Sequence, residues 1–151
     1  MTAFCDLFSQ KHPKTAILLY QLPNEPKPEN NQAVFTSLIP YLSYYELAKA
    51  PNCRGTVSID SSLQHLVAGL TKSIVIWGHS LPNSFSYDYD VHIIQPCRRD
   101  DILYFSALGP SGARIDYIKP DELLRIVNKE LFNSDEEPAM YHKHENLWKA
   151  K

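Results

Sequence analysis

SIVIWGHSLP, residues 73–82, is the segment from which the strand order of this chain follows. Ile74, Val75, Ile76 and Trp77 form a short apolar run of β-formers, and Gly78-His79-Ser80 ends it. Such a run reads as a buried strand, and its partners must be sought on either side. Downstream lie VHIIQ (91–95), ILYFSAL (102–108) and ARIDYI (113–118). The last three are separated only by residues 96–101 and 109–112, connections that reverse a chain but are too short to cross over. The expectation is therefore an α+β domain with an antiparallel β-meander, its strands near 73–77, 91–95, 102–108 and 113–118. Helices would pack on one face.

Upstream, Asp60 stands before Leu63, Leu66, Val67 and Leu70, a helical stripe with its cap. Phe4, Leu7 and Phe8 predict a helix over 3–10, and TAILLYQL (15–22) a strand buried on both faces. PNEPKPENN (23–31) is a solvated loop. Residues 32–39 and 41–50 read as two helices broken at Pro40, because proline lacks the donor a helix interior needs. Pro120 opens another helix, with Asp121 and Glu122 in its first turn and Leu123, Ile126, Val127 and Leu131 along its stripe. Residues 1–132 make one domain, and 133–151 a polar tail with Leu147 and Trp148 as docking points.

Length and composition fit a single core: 151 residues, 44% apolar and 21% charged. A formal charge of -2 gives no basic field for nucleic acid, so direct nucleic-acid binding is not expected. The longest apolar run, Ala16 to Tyr20, is far short of the ~20 residues of a membrane helix, and no signal-peptide pattern opens the chain. Cys5, Cys53 and Cys97 are odd in number and widely spaced, which fits reduced thiols in a cytoplasmic protein and no structural zinc. Cys53 and Cys97 each adjoin arginine, a setting that lowers a thiol pKa, but neither has an identifiable histidine partner.

Gly78-His79-Ser80-Leu81-Pro82 approaches the Gly-x-Ser-x-Gly elbow that presents a nucleophilic serine. Pro82 replaces the second glycine, and NSFSYDYD (83–90) carries no helical stripe where the elbow needs a helix. The same ten residues also resemble a short motif of sirtuin-like NAD-binding domains, in which a strand ends in Gly-His-Ser beside the nucleotide. Asp90 and His92 follow in keeping with it. The resemblance covers about twenty residues and implies a nucleotide next to Gly78, His79 and Ser80. The five glycines are nowhere clustered, so no glycine-rich phosphate loop precedes the strand, and no cofactor is expected.

Asp88, Asp90 and His92 would share one strand face, and His142, His144 and Glu145 lie together in the tail. Neither set draws ligands from several elements as hard-metal sites do, and no metal is expected. His65 reads as an exposed helix residue, and His12 as a turn residue without a partner. Around them, Phe85, Tyr87 and Tyr89 alternate with Ser, Asn and Asp. This is either an exposed contact loop, where aromatics anchor and short polar groups adapt, or the core face of a further strand. With no catalytic template met, the expectation is a non-enzymatic protein-binding module. Its most concrete form is an inhibitor, immunity-type or antitoxin protein that covers a partner's functional surface. Phe85, Tyr87, Asp88, Tyr89 and Asp90 would make the contact, and their acidity suits a basic partner such as a nuclease toxin. The alternatives are a small hydrolase or nucleotide-binding enzyme using His79 and Ser80, and a subunit of a larger assembly.

Overall fold

A computed structural model describes residues 2–20, 34–36, 40–59, 61–77, 87, 89–94, 118–136 and 142–143. The elements run α1 (Thr2–Lys11), β1 (Ile17–Leu19), β2 (Val34–Thr36), α2 (Ser43–Lys49), β3 (Thr56–Ile59), α3 (Ser62–Val67), β4 (Ser73–Trp77), β5 (Val91–Ile94), α4 (Pro120–Phe132) and β6 (His142–Lys143). The main sheet has the order β3-β4-β5-β6, and a separate two-stranded sheet pairs β1 with β2 in parallel.

The central strands are parallel, which overturns the antiparallel meander. β4 pairs in parallel with β3, Val57 opposite Ile74, and with β5, Ile76 opposite Ile93. Parallel neighbours need a crossover of about a dozen residues. Both connections have that length: residues 60–72 carry α3 from β3 to β4, and residues 78–90 lead from β4 to β5. Among the described residues only β6 runs antiparallel, with His142 opposite His92 and Lys143 opposite Val91. It belongs to the tail, which thus returns to the sheet. The strands expected at 102–108 and 113–118 lie outside the described residues, as do Leu147 and Trp148.

The sheet's two faces differ in chemistry. On one, Ile74, Ile76, Val91 and Ile93 meet Phe4, Cys5 and Phe8 of α1 and Leu123, Ile126 and Val127 of α4. Each fully buried side chain of this size contributes about 1.5–3 kcal/mol, so this layer is the main apolar core. On the other face stand Thr56, Ser58, Ser73, Val75, Trp77 and His92, and α3 lies over them, its Gln64 and Val67 buried. Helices therefore cover both faces rather than one. That is what a parallel sheet requires, since its crossovers leave neither face to water.

Local corrections follow the same logic. β2 occupies Val34–Thr36, where a helix over 32–39 was expected, while the helix after Pro40 forms as α2. β1 is only partly covered, with Leu18 41% exposed, so it is not a strand buried on both faces. In α1 the inward face is Phe4, Cys5 and Phe8, and Leu7 turns outward. In α3, Gln64 and Val67 point inward, and Leu63, Leu66 and Leu70 are half-buried. α4 starts on Pro120 as the sequence requires and ends at Asn133, in the left-handed conformation with φ 55°. Asn133 and Ser134 both donate backbone N–H to the Asn128 carbonyl, closing the helix. Among the described residues no helix is long and apolar enough to cross a membrane.

Candidate functional site

Parallel pairing on both sides of β4 sends the carboxyl ends of β3, β4 and β5 to one edge of the sheet. Trp77, the last residue of β4, lies opposite Ile94, the last of β5. The chain leaves that edge directly into Gly78-His79-Ser80. In open parallel sheets this is the edge outside which ligands bind. Gly78, His79 and Ser80 themselves are outside the described residues, as are Phe85, Asp88, Cys97, His144 and Glu145.

Beneath the edge is a buried polar layer that the sequence reading did not assemble. Trp77 Nε1 donates to His92 Nδ1 at 2.9 Å, and both side chains are buried. Indole is a donor only, so His92 Nδ1 must present its lone pair, which puts the imidazole proton on Nε2. On the same face but at the amino end of the strands, where Asp90 is level with Ser73, Gln64 Nε2 donates to Asp90 Oδ2 at 3.1 Å. Thr56 Oγ1 donates to Ser73 Oγ at 3.1 Å at that same end. Ser58 Oγ is buried and makes no hydrogen bond among the described residues. The period of two along Asp90-Val91-His92 was visible in the sequence; that its polar side faces α3 was not.

Asp90 is only 3% exposed, so its carboxylate serves this interior layer and is not available to a partner. Tyr87 and Tyr89 are presented differently. Their rings stack with centroids 5.5 Å apart and planes within 6°. Tyr87 Oη lies 3.1 Å from His65 Nδ1, and Tyr89 is 51% exposed. Gly69, one turn beyond His65, makes room, since a Cβ there would stand 3.4 Å from Tyr89 Oη. The two tyrosines thus lie along α3 as a surface ladder. Beside it, between α2 and α3, Leu42, Ser43, Tyr45, Glu46 and Leu66 line an open groove of about 590 Å³, with Leu42 71% exposed.

Cys5, Cys53 and His12 have defined surroundings. Cys5 is buried in the main core, and burial pushes its thiol pKa up. Cys53 is half-buried, with Sγ 3.9 Å from the Gly55 carbonyl. His12 does have a partner, the buried side chain of Asn128, and its ring stacks on Phe132 with centroids 3.9 Å apart. Among the described residues no three His, Cys, Asp or Glu side chains gather into a cation site. Comparison of the chain with protein-family models, curated proteins and solved structures finds no match in any of the three.

Proposed function

We propose that the chain binds a nucleotide-type ligand at the carboxyl edge of its sheet, against Gly78, His79 and Ser80. The observation that carries this reading is the parallel register of β4 with both neighbours. It puts Trp77, the end of β4, at the edge that open parallel sheets use for ligands; Gly78, His79 and Ser80 follow it in the sequence, and SIVIWGHSLP resembles a motif of sirtuin-like NAD-binding domains. Gly78 lets a backbone approach a phosphate, while Ser80 and His79 offer a hydroxyl and an imidazole to ribose or phosphate oxygens. A nucleophilic role for Ser80 is not included, because Pro82 stands where the elbow requires glycine. The free thiols of Cys5 and Cys53 favour the cytoplasm as the working compartment.

The test is a thermal-shift titration with NAD, ADP-ribose and adenosine, since a ligand that binds the native state raises the melting temperature. A rise with at least one, lost in the double variant His79→Ala/Ser80→Ala, is the expected result. An unchanged melting temperature at saturating concentrations of all three would sink the reading.

A second reading, a protein-binding module of the inhibitor or immunity type, is favoured by the exposed Tyr87–Tyr89 ladder and the adjoining apolar groove. Exposed Tyr side chains in this setting anchor a partner, and Phe85 and Asp88 remain proposed contributors. Asp90 is withdrawn from that surface because it is buried. Tyr89→Ala should abolish retention of a basic protein partner by the tagged chain without lowering the melting temperature. Undiminished retention would remove this surface.

A further inference from the structure

Helix α2 shows solvent a stripe of side chains that can complement itself. Tyr44 and Ala48 are buried, while Tyr45, Glu46 and Lys49 are exposed. Leu42, the residue before the helix, has helical backbone angles and is 71% exposed. Spacings of three, four and seven residues put Leu42, Tyr45, Glu46 and Lys49 on one face. Lys49 Nζ lies 3.5 Å from Glu46 Oε2 and 5.0 Å from the centre of the Tyr45 ring. An ion pair exposed at both ends adds little to the fold, so either charge can take a partner from outside. The apolar end of the stripe borders the groove that α3 lines with Leu66.

Along the stripe the order is apolar, aromatic, acidic, basic. Two α2 helices laid side by side in the same direction would set Glu46 against Glu46 and Lys49 against Lys49. Laid antiparallel about a two-fold axis between Tyr45 and Glu46, they set each Glu46 against Lys49 of the other copy. Each Leu42 then meets the Tyr45 ring and the aliphatic stem of Lys49 across the axis, and the helix dipoles oppose. We propose that the α2 stripe and its groove form a two-fold interface between copies of this chain. With α2 seven residues, about 10 Å, long, the contact is small, and the pairing is weak and concentration-dependent. Neither functional reading above is needed for it. It assigns the groove to a second copy and leaves the Tyr87–Tyr89 ladder to a foreign protein.

The experiment is sedimentation of the full-length protein between about 10 µM and about 1 mM, over which the mass should rise from one chain towards two. Leu42→Asp removes the apolar contact, yet aspartate before a helix favours the helix itself. Glu46→Lys and Lys49→Glu each set like charges across the axis. Each of these three should weaken association about tenfold, with melting curves showing that the variants fold. The double variant Glu46→Lys/Lys49→Glu restores unlike charges across the axis and should return to within about threefold of the natural chain. A natural chain that stays single at every concentration overturns the proposal, as does undiminished association of Leu42→Asp. A double variant that associates no better than the single ones overturns it too. Each of these outcomes leaves the functional readings standing, since the nucleotide titration and Tyr89→Ala test those separately.

Discussion

His12 and Asn128, 116 positions apart in the chain, are joined by a 2.6 Å hydrogen bond at the point where α1 and α4 end together. Asn128 Nδ2 donates to both carboxylate oxygens of Glu136, at 3.1 and 3.2 Å. The amide oxygen must therefore be the atom that accepts from His12 Nε2–H. Lys11 completes the chain by donating to Glu136 at 2.9 Å. One buried amide thus ties the first helix, the last helix and the start of the tail.

Asn128→Ala should lower stability by about 2–3 kcal/mol, because it empties a packed site and strips partners from two polar groups at once. Chemical denaturation measures this directly. A loss no larger than that of an ordinary surface substitution would show that the three segments hold together without the amide.

The same junction makes stability depend on pH. The hydrogen bond from Lys11, and then that from Asn128, holds the Glu136 carboxyl below its ordinary value of 4.5. A depressed carboxyl contributes stability in full above the unfolded value, and the contribution disappears as pH falls through the folded one. Glu136→Gln should therefore be less stable than the natural chain at neutral pH. That difference should close as pH falls below 4.5. Melting curves at several pH values give the comparison, and a constant gap would contradict it.

Gly55 marks a close approach of backbone to backbone. A Cβ on it would lie 2.7 Å from the Lys72 carbonyl oxygen and 2.6 Å from Leu131 Cδ2. The leucine can turn aside, but the carbonyl is fixed by accepting the Thr56 N–H at 2.9 Å. Gly55→Ala should cost about 2–4 kcal/mol through displacement of β3 from β4. A melting temperature within a degree or so of the natural chain's would show that the edge strand shifts freely.

Lys72 secures the other side of that turn, with Nζ 2.8 Å from Glu130 Oε2 and 2.7 Å from the Glu130 carbonyl. The Glu130 side chain is 4% exposed and that of Lys72 is 44% exposed, so the pair lies between buried and surface strength. Lys72→Met should cost about 2 kcal/mol by withdrawing this cation from a buried carboxylate. Glu130→Gln added to it should restore part of the loss, and a double-mutant cycle without coupling would refute the assignment.

Much of the element inventory was legible from local pattern: α1 from its aromatic spacing, β4 from its unbroken run, α4 from Pro120 and the stripe behind it. Strand direction was not, because it is set by what joins the strands. The decisive connections were residues 60–72 and 78–90, and β3 at TVSI is too short and too polar to announce itself as the first strand of a crossover unit. Without β3, residues 73–77 have neighbours only downstream, where short turns imply reversal. The sequence offers candidates as a motif at 78–80 and as aromatic alternation at 85–89, of which Tyr87 and Tyr89 are among the described residues. The buried polar face of the sheet is not legible there, since Trp77–His92 and Gln64–Asp90 are tertiary pairs. Periodicity shows which positions share a face, but not what covers that face.

The unlike faces of the central sheet also set how freely this chain can drift through sequence space. Positions 74, 76, 91 and 93 ask only for aliphatic volume, and exchanges among Val, Ile and Leu there are cheap enough to accumulate one at a time. Positions 77 and 92 ask for a donor and an acceptor together, so the loss of either is favoured only when the other is lost with it. Diverged copies of this protein should therefore show free substitution on one side of β4 and paired substitution on the other.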